Sequence, residues 1–141
     1  MRKWTFCVDG EPHGKARPRF ARTQNGVRTY TPDKTVSYEQ AVKLAYRKKY
    51  KEVATEKPVR VYIQANFKAP KSWSKRKKAQ AALGMYRPTK KPDADNIAKA
   101  ICDALNGVAY KDDKQIVELK VEKYYAPSGK DGFVFVMIEE G

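Results

Sequence analysis

Apolar and polar positions alternate over residues 3–9, where Trp4, Phe6 and Val8 are interleaved with Lys3, Thr5 and Cys7. That two-residue period predicts a strand with one buried face. The same period recurs in VRVYIQANF after Pro58, with Val59, Val61, Ile63 and Ala65 on one side. It recurs again in QIVELKVEKYYA and in FVFVMIEE, and the GKDG turn between them predicts a β-hairpin over 115–140. Elsewhere the period lengthens to three and four. Tyr38, Ala41, Val42, Ala45 and Tyr46 mark a helix from about Asp33 to Tyr50. Ile97, Ala100, Ile101, Ala104 and Leu105 mark another from about Asp95 to Asn106, with Gly107 as its stop. SWSKRKKAQAALG predicts a short helix capped by Ser72 or Ser74 and closed by Gly84. GEPHGKARPRFARTQNGVRTYTP is a loop with a small hairpin around Asn25-Gly26, and KDDK is a turn. The order β-α-β-α-α-β-β predicts a single α+β domain with a mixed sheet packed on helices.

Length agrees, since 141 residues suit one domain with one core. No apolar run is long enough to span a membrane, and MRKWTFCVDG lacks the apolar stretch of a signal peptide, so a cytoplasmic protein is expected. Cys7 and Cys102 are far apart and form no CxxC, which argues against a disulfide framework or a zinc site.

Charge changes the picture more. The formal net charge is +14, and it is unevenly spread. Residues before Asp93 carry 24 basic and 6 acidic side chains, a balance of +18; those from Asp93 onward carry 6 and 10, a balance of −4. Between Glu56 and Asp93 there are 11 basic residues and no acidic one. Lys15, Arg17 and Arg19 in the first loop and Lys75, Arg76, Lys77 and Lys78 in the short helix have no acid near them in sequence, and Lys90 and Lys91 lead into Asp93. They are the expected contacts to a phosphate backbone.

Against this stands KPDADNIAKAICDALNGVAYKDDKQI, which gathers Asp93, Asp95, Asp103, Asp112 and Asp113. Asp95, Lys99 and Asp103 are four apart and form a polar stripe opposite the apolar one. Asp112 and Asp113 lie in a turn able to fold back toward Asp93 and Asp95. A purely structural account is available: Asp93 caps the helix, Asp95 pairs with Lys99, and the double aspartate is a polar turn. If the carboxylates converge instead, their repulsion calls for a divalent cation, and oxygen ligands of this kind suit Mg²⁺ or Mn²⁺. Lone His13 belongs to a loop rather than to a general base.

The PDADNIAKAICDALNGVAYKDDKQI block resembles the signature of the RusA-like Holliday junction resolvases: D-x-D-N-x-x-K, a helix ending in D-x-L, and a D-D-x-Q-(I/V) turn before a strand. PHGKARPRF, TYTP…YE and SWSKRKK resemble the phage-type branch, so the likeness spans roughly residues 4–138. Ala94 and Ile97 replace leucines of the best-known pattern, and the stretch 70–91 is longer than in the shortest members. The resemblance implies a homodimeric, Mg²⁺-dependent endonuclease that cuts four-way DNA junctions by paired nicks. It implies Asp93, Asp95 and Asp113 as metal ligands, Lys99 as the essential lysine, and a 5′-phosphate and 3′-hydroxyl as products. Asp112, Asn96, Asp103 and Gln115 would support these residues. The competing expectations are a non-catalytic nucleic-acid-binding module and a nuclease acting on other branched DNA or on RNA.

Overall fold

The computed structural model describes residues 2–15, 19–23, 26–30 and 33–141, with the backbone alone for 19–23, 27–30 and 33–34. Strands β1 (Lys3–Asp9), β4 (Val59–Phe67), β5 (Ile116–Tyr125) and β6 (Phe133–Glu140) form one sheet in the order β1-β6-β4-β5. Strands β2 (Arg19–Thr23) and β3 (Gly26–Tyr30) pair separately as the small antiparallel hairpin that Asn25-Gly26 predicts, although Asn25 itself lies outside the described residues. Helices α1 (Asp33–Lys49), α2 (Lys75–Ala82) and α3 (Ala94–Leu105) complete the α+β domain. No helix among the described residues is long and apolar enough to cross a membrane.

The sheet is mixed because of β5 and β6. β6 runs antiparallel to both β1 and β4, whereas β5 runs parallel to β4. The hairpin expected over 115–140 is therefore corrected: β5 and β6 are not neighbours, and β4 lies between them. Alternation identifies a strand but not its partner. What carries the chain across is backbone bonding at the sheet end, where Ala126 N donates to the Phe67 carbonyl (2.7 Å) and Gly10 N to the Gly132 carbonyl (3.0 Å).

Trp4, Phe6, Val8, Val59, Val61, Ile63, Val134, Val136 and Ile138 all point to one face and are buried. Helix α1 packs on β1 and α3 there, placing Val42 and Tyr46 in the same core; Ala41, expected in the stripe, is exposed. Helix α3 buries Ile97, Ile101 and Leu105 completely. Each such side chain contributes roughly 1.5–3 kcal/mol on leaving water, so α3 is held by one face and its polar stripe is left to do other things. The opposite face of the sheet carries half-buried Tyr62, Phe135 and Met137.

Candidate active site

Helix α3 begins at Asp93, which occupies the N-cap position (φ −68°, ψ 154°) while its side chain makes no capping bond. Its carbonyl accepts from Ile97 N at 3.0 Å, so the backbone alone starts the helix. The carboxylate of Asp93 is thus exposed without a capping duty. Two residues on, Asp95 is exposed, and it is not the partner of Lys99: Lys99 Nζ lies 3.5 Å from Asp103 Oδ2. The structural account that pairs Asp95 with Lys99 does not hold.

The same Asp103 oxygen lies 3.4 Å from Lys15 Nζ, and Lys15 also pairs with Glu39 on α1. Burial alone would lower the Lys15 ammonium, but the Glu39 and Asp103 carboxylates outweigh it and hold its pKa above the ordinary value. The expectation that Lys15 lacks acidic partners is corrected. Sequence distance hid them, since they arrive from α1 and α3. Lys15 N also donates to the Asn96 carbonyl (3.0 Å), fixing the first loop to the opening turn of α3. Asn96 is exposed and serves this junction through its backbone. His13 sits in that loop, stacked on Tyr38 at 5.3 Å.

Asp113 comes from a separate element, a 3-10 turn (Asp113–Gln115) that leads into β5. The turn is anchored in several ways. Asp112 accepts from Lys114 N through its side chain (2.9 Å), and Gln115 Oε1 accepts from Asp112 N (2.8 Å), a reciprocal capping box. Gln115 Nε2 donates to the Thr55 and Lys57 carbonyls, both at 2.9 Å. Behind the turn, fully buried Tyr110 donates its hydroxyl to the Cys102 carbonyl of α3 at 2.7 Å. Burial pushes the phenol pKa far up, so this donor is permanent. Tyr110 was not singled out from sequence; its only signal there is an aromatic residue placed just before the double aspartate.

These supports bring Asp95, Lys99, Asp103 and Asp113 together around one cleft, closed on its other side by Ile116, Val117 and Leu119 of β5. Asp93 stands outside its lining, at the helix start. Among the described residues no three His, Cys, Asp or Glu side chains form a finished metal enclosure. Mg²⁺ does not need one, because it takes one or two carboxylates and completes its shell with water and phosphate oxygens. Cys102 also lines the cleft, but burial raises its thiol to about 11, so it is not a thiolate near neutral pH. The available donors are oxygens, which suits a hard cation.

The basic residues form a second region. Lys75 and Arg76 are exposed on α2, and Ser74 caps that helix by accepting from Lys77 N at 3.1 Å. Lys77 Nζ sits 4.2 Å from the Trp73 ring centre and 5.2 Å from that of Tyr86. Lys78 is half-buried, Lys91 is exposed, and Lys90 lies over Phe67 at 5.5 Å. None of these cations forms an ion pair among the described residues. Arg17 lies outside the described residues, and of Arg19 only the backbone, in β2, is described.

A profile of the endodeoxyribonuclease RusA family matches residues 9–139, nearly the whole chain. The chain belongs to the RusA family. It therefore carries the fold of a Holliday junction resolvase-like endodeoxyribonuclease, and the cleft between α3 and the Asp113 turn is formed by the block that resembles the RusA signature. The chain is also 40 % identical over 137 residues to the uncharacterized protein YqaN of Bacillus subtilis (strain 168), covering 96 % of this chain and 94 % of that one.

Proposed function

We propose that this RusA-family chain is a Mg²⁺-dependent, structure-selective endonuclease that resolves four-way DNA junctions by paired nicks, acting as a homodimer. The observation that supports the reading is a single cleft lined by Asp95, Asp103 and Asp113 together with Lys99. Asp95 and Asp113 would hold the cation, with Asp93 reached at the helix start, and Mn²⁺ would substitute. Such an ion supplies a bound water of lowered pKa and neutralises charge on the scissile phosphate. Lys99, whose side chain is 62 % exposed, would leave Asp103 and bring its ammonium to a phosphate oxygen. Asp103 would not be stranded by that move, because Lys15 stays on the same oxygen. Lys75, Arg76, Lys78, Lys90 and Lys91 would position the duplex arms through phosphates without reading sequence.

The test is a panel of end-labelled four-way junctions, forks, flaps and linear duplexes incubated with Mg²⁺, with EDTA, and with an RNA junction as competitor. The expected result is paired nicking of the four-way junction by wild type, none in EDTA and none by Asp95→Asn. Binding without Mg²⁺-dependent cutting would make the chain a nucleic-acid-binding module, and preferential cutting of RNA or of flaps would move the substrate.

A further inference from the structure

Helix α2 ends in an unusual projection. Leu83 N donates to Gln80 O (3.1 Å), Gly84 N to Ala81 O (2.9 Å) and Met85 N to Gln80 O (3.1 Å), with Gly84 left-handed at φ +87°. These bonds tie the tip back onto the last turn of the helix. Its base is fixed as well. Gly84 lies on the Tyr124 ring, where a Cβ would stand 3.5 Å from Cε1. Arg87 stacks on that ring at 3.8 Å while its Nε donates to the Lys123 carbonyl at 2.6 Å. Yet Leu83 is 82 % exposed and Met85 64 %, with Tyr86 beside them at 41 %. Single exposed apolar residues need no explanation, but adjacent ones on a rigid tip do.

The surroundings indicate the occupant. The tip stands in the acid-free segment between Glu56 and Asp93, with its 11 cations. That charge fits a polyanion and repels a basic protein groove. Cations also flank the tip in space, with Lys77 Nζ 5.2 Å from the Tyr86 ring centre and Arg87 on the Tyr124 ring. Leucine and methionine are side chains that enter opened base steps, and the unstacking cost is smallest where bases are already unpaired. We propose that Leu83 and Met85 form a wedge that enters the opened base step at the branch point of DNA, with Tyr86 flanking it. The proposal rests on branched DNA being the substrate.

The experiment uses a four-way junction carrying 2-aminopurine at the branch, titrated with the full chain in EDTA so that nothing is cut. Wild type should raise the fluorescence severalfold, and a linear duplex should show no rise. Leu83→Ser/Met85→Ser, which alters only exposed side chains, should bind within about twofold of wild type with an unchanged salt slope, yet lose most of the rise. Leu83→Met/Met85→Leu should restore it. An equal rise in the double serine variant, or no rise with wild type, overturns the wedge. So does loss of binding to phosphatidylglycerol vesicles as the main effect of the serine pair, which would assign the tip to a membrane surface. A full rise with wild type but no Mg²⁺-dependent cutting overturns the catalytic reading and leaves the wedge standing.

Discussion

Asp103 Oδ2 is shared by two ammonium groups, and that sharing separates the roles of two lysines that look alike in sequence. Lys99 is the exposed member, so Lys99→Ala should leave the urea midpoint nearly unchanged. If its ammonium meets charge that grows in the transition state, kcat should fall by about a hundredfold or more with junction affinity little altered. A parallel loss of binding and cutting would make it an ordinary phosphate contact. Lys15 is the opposite case, with its side chain only 20 % exposed between Glu39 and Asp103. Lys15→Met should destabilise the fold by about 1–3 kcal/mol, between the values for exposed and buried pairs, as read by urea unfolding. It should leave the slope of log affinity against log salt unchanged, whereas Lys75→Gln should lower that slope by about 0.9. Asp95→Asn and Asp113→Asn should abolish nicking while junction binding holds or tightens, because a repelling charge is removed beside phosphate. Retained cutting by both variants would move the metal site elsewhere.

Helix α3 is where the first loop, the sheet and the Asp113 turn meet, and its start is tightly packed. A Cβ on Gly14 would fall 2.9 Å from Pro92 Cβ and 3.2 Å from Asn96 Cβ. Neither atom is the end of a flexible chain, so Gly14→Ala should push the loop off the helix start and cost about 1–3 kcal/mol by urea unfolding. It should also slow nicking more than the stability loss explains, since Asp95 follows directly. The elements themselves were legible from the chain: the apolar stripe of α3, the alternation of β1 and β4, and Gly84 as a helix stop all match the structure. What was not legible is pairing across distance. Alternation in β5 and β6 reads the same whether the two strands bond each other or both bond β4. The acidic partners of Lys15 lie on α1 and α3, outside any local window. The Gln115 bonds that anchor the Asp113 turn and the Tyr110 anchor behind it likewise depend on how Thr55 and Cys102 come to that turn.

For the whole molecule, acid should weaken the join that Glu140 makes between Arg2 and Thr55. Glu140 is buried at the end of β6, where Arg2 and Thr55 donate to its carboxylate and hold its pKa down from 4.5 to about 2. A depressed carboxylate stabilises the fold above its ordinary pKa and ceases to do so as pH falls through the folded value. The melting temperature should therefore decline between about pH 4.5 and pH 2, and Glu140→Gln should flatten that decline while lowering stability near neutrality. The strand that carries Glu140 has a wider consequence. β6 lies between β1 and β4, bonding the first strand of the sheet to its centre, from Lys3↔Glu139 through Asp9↔Phe133. During synthesis on the ribosome, β1 and β4 emerge early and lack the strand that joins them until residues 133–140 leave the exit tunnel. The sheet under α3 is incomplete for all of that time, so the core that backs the cleft lacks Val134, Val136 and Ile138. A ribosome stalled before Phe133 should display a protease-sensitive chain, and release of the last strand should confer resistance and nuclease competence together.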